Sequence, residues 1–145
     1  MTSSYLIPDL QADEGFRPNA YPDPLSGAEP WTIGYGATGP GIGEGTVWTQ
    51  QEAEEDLQAR VASIVAKLAE QPWWASLDDL RQDVCANMAY NMGVNGFLAF
   101  HHTIAAISAG NYESAAEQML DSAWAHQVPH RAQRLALQMQ TGDHA

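Results

Sequence analysis

DEGFRPNAYPDPLSGAEPWTIGYGATG, residues 13–39, is the stretch on which the reading of this chain turns. It sets two carboxylates, Glu14 and Asp23, nine positions apart and follows them with a hydroxyl, Thr32, inside the short β-like run WTIGYG. Proline and glycine punctuate everything between, so the segment reads as turns (PDPLSG, TGPGIGEG) joining short extended pieces, with no room for a helix. A carboxylic acid, a carboxylate and a small hydroxyl on such a frame suit the hydrolysis of a glycosidic bond. One carboxyl protonates the leaving oxygen, and the other orients or activates a water.

On the N-terminal side, residues 4–14 read as a helix with Ser3 or Ser4 as cap, Leu6 and Leu10 on one face, and Gly15 just past its end. Pro8 fits only in the first turn. On the C-terminal side, Thr49-Gln50-Gln51-Glu52 is a capping box. Behind it Ala53, Leu57, Val61, Ile64, Val65 and Leu68 recur at helical spacing to about residue 70, where Pro72 stops the run. At 1.5 Å per residue this helix is roughly 30 Å long, enough to connect two lobes. Beyond it a helix is expected from about Ser76 to Met92 with Gly93 closing it. Shorter ones follow near 97–108 and 112–122, the second capped by Asn111, and a last one runs from Pro129 to Gly142. The fold class expected is α+β and mainly helical, in one domain over residues 1–145. Residues 13–49 form a small α/β lobe, 50–70 the connecting helix, and 71–145 with the helix 4–14 a helical lobe.

The chain has 145 residues, sufficient for one well-packed core. Six basic against eighteen acidic residues leave a net charge of −12, and Lys67 is the only lysine. Such a surface gains no counterion-release affinity for a polyanion, so nucleic acid is not an expected partner. No apolar run approaches the ~20 residues of a membrane span, and no basic n-region marks a secretory signal. The expectation is synthesis in a cytoplasm and work outside it after release by another route. Cys85 is the only cysteine, which precludes an internal disulfide, and its place on an apolar helical stripe marks it as core.

Several patterns invite sharper readings than they support. GYGATG (34–39) fits G-x-G-x-x-G, but Pro40 and more glycines follow where a dinucleotide site needs a helix. The five histidines, 101, 102, 126, 130 and 144, form no HExxH or cysteine-rich ligand set, so no metal is expected. EAEED (52–56) lacks EF-hand spacing and reads as a solvated helix start. Trp73 and Trp74 read as core, whereas Trp31, at the border of the hairpin, suits stacking on a sugar ring.

Five segments in order (EGFRPNAYPD, WTIGYG, the T-x-x-E helix, ANMAYNMGVNGF, and SAWAHQVPHRAQRLA with a terminal TG) together resemble the phage lysozymes of the T-even bacteriophage type, glycoside hydrolase family 24. The likeness spans nearly the whole chain. It implies a lysozyme-like fold and a cofactor-independent peptidoglycan muramidase. Such an enzyme cleaves the β-1,4 bond from N-acetylmuramic acid to N-acetylglucosamine with inversion, as a monomeric endolysin acting on periplasmic wall. By this resemblance Glu14 matches the general acid, Asp23 the carboxylate that places water, and Thr32 the hydroxyl partner of that water. Arg131 matches an arginine that pairs with the catalytic glutamate across the cleft. Asp13 and Arg134 match a second inter-lobe pair, and Tyr90, Asn91 and Met92 fall where the helical lobe lines the sugar cleft. Inversion would set the Glu14 and Asp23 carboxyls ~6.5–9.5 Å apart.

Two departures stand out. Eight residues separate Asp23 from Thr32, more than in the best-known members, so the hairpin carries an insertion within PLSGAEP. The family's GYGHT-like run reads GYGAT, so Ala37 replaces a histidine. Two rival readings remain. A lytic transglycosylase needs a glutamic acid but no water-placing pair, and a virion-associated or wall-binding structural domain needs no catalytic set at all.

Overall fold

The computed structural model describes all 145 residues. It contains eight α-helices and one two-stranded antiparallel sheet, the α+β and mainly helical class expected. Two compact units divide the chain, one of Ile7–Ala62 and one of Met1–Leu6 with Ser63–Ala145. The helix expected to belong with the helical lobe therefore contributes Ile7 onward to the smaller unit.

The smaller unit holds the stretch that carries the candidate chemistry. Helix α1 (Leu6–Glu14) ends at Gly15, whose φ of +71° is the left-handed geometry that closes helices. Strand β1 (Arg17–Tyr21) pairs with β2 (Thr32–Gly34), with Arg17 opposite Gly34 and Tyr21 opposite Thr32. Four steps along β1 thus match two along β2, so the ladder is bulged. On its other side β1 exchanges hydrogen bonds with the segment before the next helix, Trp48 N–H to Pro18 O at 2.8 Å and Ala20 N–H to Thr46 O at 3.0 Å. Pro18, which has no N–H, is tolerated because it serves here only as an acceptor. No helix occurs between 15 and 49, as the glycines and prolines require.

Helix α2 (Gln50–Leu68) opens on the capping box read from the sequence. Thr49 Oγ1 accepts from the Glu52 N–H, and Glu52 Oε1 accepts from the Thr49 N–H, both at 3.1 Å. Thr49→Ala should lower stability by about 1 kcal/mol. In a chain of this size that is a fall of roughly 2–4 °C in thermal midpoint, checked by calorimetry. Ala53 and Leu57 on this helix are fully buried, and a Cβ at Gly34 would lie 3.2 Å from the Ala53 methyl and 3.0 Å from the Trp48 ring. Gly34 is thus required twice over, by its φ of +65° and by the closeness of α2 to the strand.

In the larger unit, a 3₁₀ turn (Trp74–Ser76) precedes α3 (Asp79–Met92). The expected start at Ser76 is therefore three residues early. Ser76 Oγ donates back to Trp73 O at 2.7 Å, while the Asp78 side chain accepts from the Arg81 N–H and caps α3. Gly93 ends it with φ +86°. The helix expected over 97–108 is two, α4 (Val94–Leu98) and α5 (His101–Ser108), because Phe100 between them leaves helical geometry at ψ 66°. Helix α6 (Tyr112–Leu120) is capped by Asn111 as expected. A short α7 (Ala123–Gln127), capped by Ser122, was not expected. Helix α8 (Pro129–Thr141) has Pro129 in its first turn and Gly142 as a left-handed stop.

Helix α8 packs on α3, α6 and α7 through Ala132, Leu135, Ala136 and Met139, a stripe at i, i+3, i+4 and i+7. Phe97 is fully buried, edge-on to Trp73 with ring centres 6.3 Å apart. One guanidinium ties off the end of α8. Arg81 Nε donates to Met139 O at 2.7 Å and Nη2 to Gln140 O at 3.0 Å, while Nη1 pairs with Asp78 at 3.0 Å and the group lies over the Tyr112 ring. Carbonyls in the last turn of a helix have no partner within it, and a planar fork can serve two at once. Cys85, on α3, is wholly buried, and that burial pushes its thiol far above its ordinary range.

Candidate active site

Glu14 is the last residue of α1, so the chain leaves the helix at the carboxylate and turns at Gly15 into β1. Its side chain is half-buried. A Cβ placed on Gly36 would lie 3.5 Å from Glu14 Oε2, and Gly36 has φ +90°. The backbone of the GYG turn thus runs beside the carboxylate, and a side chain at position 36 would meet it at van der Waals distance but strain the turn. Sequence reasoning missed Gly36 as a neighbour of Glu14, although a glycine inside a strand-like run, here WTIGYG, signals close backbone approach.

Asp23 follows β1 by two residues, at the start of the loop 24–31. Its Oδ2 accepts from the N–H groups of Leu25 at 3.2 Å and Ser26 at 3.0 Å, its N–H donates to Ala28 O at 2.9 Å, and its carbonyl accepts from the Gly27 N–H at 2.8 Å. Ser26 Oγ in turn donates to Glu29 O at 3.0 Å. Residues 23–29 therefore close on themselves and fix one oxygen of Asp23, while Oδ1 has no bond to the loop. Residues 24–30 are all exposed, so this loop projects outward.

Thr32 is half-buried and begins β2 directly opposite Tyr21, two residues before Asp23. Within the smaller unit Glu14, Asp23 and Thr32 thus stand at three successive corners of one small structure: the end of a helix, the end of a strand, and the start of its partner. The turn after β2 is held from α2, where Arg60 pairs with Asp56 at 2.8 Å and donates to Thr38 O at 3.0 Å. Ala37, where the resemblance led one to look for a histidine, is fully buried. It exchanges backbone hydrogen bonds with Ile33 at 2.8 and 2.9 Å, so a methyl group fills an apolar position there. Asp13 is half-buried beside Glu14 on α1, and Trp31 is half-buried just ahead of Thr32.

The remaining expected site residues belong to the larger unit. Tyr90, Asn91 and Met92 form the last turn of α3. Asn91 Oδ1 accepts from the Trp124 indole N–H at 2.7 Å, which commits that oxygen to holding α7 and leaves the amide NH₂ for other contacts. Arg131 is in the first turn of α8 and almost buried, its Nε donating at 2.8 Å to Oδ1 of the buried Asn87. Asn87, on α3, is a second residue the sequence reading missed, since a buried amide leaves no periodic trace. Arg134 follows one turn later on α8 and is half-buried.

The phage lysozyme family model matches residues 11–138. The chain belongs to that family. Among curated proteins it is 33% identical over 89 residues to probable T4-type lysozyme 1 of Dictyostelium discoideum, covering 61% of this chain and 52% of that protein. It is 33% identical over 99 residues to the pre-baseplate central spike protein Gp5 of Enterobacteria phage T4, over 66% of this chain and 17% of the spike. The endolysin of Lactococcus phage c2 is 29% identical over 111 residues, 74% of this chain and 48% of that protein. The chain thus spans about half, or much less, of the length of these relatives. All three candidate catalytic residues of this phage lysozyme family member, and Arg131 and Arg134 as well, lie inside the matched span. No helix is long and apolar enough to cross a membrane.

Proposed function

We propose that this protein is a peptidoglycan muramidase that hydrolyses the β-1,4 bond from N-acetylmuramic acid to N-acetylglucosamine with inversion. The observation that carries the reading is the local arrangement of Glu14, Asp23 and Thr32 on adjoining elements within a family-matched span. Glu14, as the acid, protonates the glycosidic oxygen as the bond breaks. Asp23 offers Oδ1 to a water on the opposite face of the sugar, its other oxygen being held by the Leu25 and Ser26 N–H groups. Thr32 supplies a hydroxyl as the second contact of that water. An inverting enzyme needs this room for water between its carboxyls.

Arg131 and Arg134 are assigned to pairing with Glu14 and Asp13. Trp31, Tyr90, Asn91 and Met92 are assigned to the glycan. No cofactor takes part, the protein acts as a monomer, and the wall is reached after synthesis in a host cytoplasm. Two relatives bear the names lysozyme and endolysin, which suits a lytic role. The relative named a central spike protein supports a second setting for the same chemistry, as part of a virion.

The test is product analysis after incubation with purified sacculi. Muropeptides with a reducing N-acetylmuramic acid end, first released as the inverted anomer, are the expected result. Anhydro-muropeptides would make the protein a lytic transglycosylase, and binding without release would make it a structural module.

A further inference from the structure

Helices α6 and α8 pack against each other in the larger unit and leave a groove of about 360 Å³ between them. We infer that this groove is a docking site for a basic amphipathic helix of another protein. The inference stands apart from the muramidase reading.

The groove has an apolar floor and apolar walls. Ala116 and Ala136, both buried, form the floor, and side chains this small let a third element come close. Leu120 and Leu137 line it as well, yet they are 44% and 52% exposed, and Leu137 lies off the stripe by which α8 packs inward. A single exposed leucine needs no explanation, but these two share one groove. The other exposed large apolar side chains of this unit, Met1 and Tyr5, belong to the N-terminal segment. A groove between two helices with leucine on both sides matches the apolar face of a helix, whose side chains recur at i, i+3, i+4 and i+7.

Charge decides which kind of helix. Glu113 and Glu117 stand one turn apart along the α6 edge of the groove, both exposed and neither ion-paired. Like charges at that spacing oppose each other, and α6 contains no Lys or Arg to relieve them. The α8 edge carries the uncharged Gln133 and Gln140. The field is therefore one-sided, and a bound helix carries Lys or Arg along the flank that meets α6. A second copy of this chain does not fit, since it brings a net charge of −12 against another −12, and groove on groove sets glutamate against glutamate. An anionic membrane surface is repelled in the same way, and the lining offers no aromatic ring to a sugar.

The probe is a capped, alanine-based helix of about 15 residues with leucines at i, i+3 and i+7 and lysines along one flank. It is titrated into the isotope-labelled protein and followed by amide NMR shifts. The shifts should concentrate at residues 113–120 and 133–140, and affinity should fall with added salt. Leu120→Asp and Leu137→Asp, both at exposed positions, should each weaken binding about tenfold or more, with circular dichroism showing the fold kept. Glu113→Lys combined with Glu117→Lys should do the same, and should switch the preference to a peptide with glutamates in place of its lysines. Shifts scattered over the acidic surface and indifferent to the leucine substitutions would reduce the effect to charge attraction and overturn the assignment. No shift at about 1 mM peptide would overturn it too. A dimer of the protein alone that Leu137→Asp abolishes would do so as well, by giving the groove to a second copy.

Discussion

Glu14→Gln should slow the release of reducing ends from sacculi by about 10²–10⁴-fold while leaving the fold unchanged by circular dichroism. Glutamine keeps the length, the branching and one accepting oxygen of the glutamate, so it fits beside the Gly36 backbone as the native side chain does. What it lacks is a proton that it can give up to the leaving oxygen. A variant retaining more than a tenth of native turnover would remove Glu14 from the acid role and with it the proposed mechanism. Gly36→Ala makes the complementary case. Its Cβ makes only van der Waals contact with Glu14 Oε2, but φ +90° is strained for alanine, so the turn beside the carboxylate should shift and activity fall although no ionisable group has been touched.

The largest effect on stability is expected at Phe97. Its ring is fully buried and meets Trp73 edge-on, in the short helix that follows Gly93. Truncation to alanine removes the transfer energy of the ring and leaves a cavity that a helix of five residues cannot easily collapse to fill, a loss of about 3–5 kcal/mol. At roughly 2–4 °C per kcal/mol the thermal midpoint should drop by about 6–20 °C, with Phe97→Leu falling between. A drop of only a degree or two would mean that the Trp73–Phe97 contact is dispensable and that the unit is organised around other residues.

What could be read from the sequence follows physical range. The capping box at Thr49, the Asn111 cap, Pro129 at the head of α8 and Gly142 at its end are settled within three or four residues, and each is found where expected. The absence of helix between 15 and 49 is equally local, since glycine and proline act on their own backbone. The start of α3 was misplaced because Ser76 and Asp78 both make acceptable caps. Asp78 is the cap because its side chain accepts from the Arg81 N–H, while Ser76 Oγ is spent on the Trp73 carbonyl. The break at Phe100 and the existence of α7 have no signal in periodicity, because helices of five residues show too little of a repeat.

At the candidate site, the frame of turns that carries Glu14, Asp23 and Thr32 was legible, because glycine and proline act on their own backbone. Gly36 and Asn87 were not, since one acts by lacking a side chain and the other through a contact with Arg131, forty-four residues away in the chain. The self-closing hydrogen bonds of the loop 24–29 were likewise invisible, since the sequence does not show that Asp23 is the post to which the loop is tied.

Cys85 gives the molecule a native reporter of its own opening. The thiol is enclosed on α3, and desolvation keeps it from ionising, so a disulfide reagent in solution meets no nucleophile while the larger unit stays closed. With no second cysteine to compete, reaction with such a reagent counts excursions in which α3 is exposed, one molecule at a time. The rate at which label accumulates under native conditions therefore gives the free energy of that excursion without denaturant. Comparing it with the global unfolding energy would show whether the helical unit opens alone or only when the whole chain does.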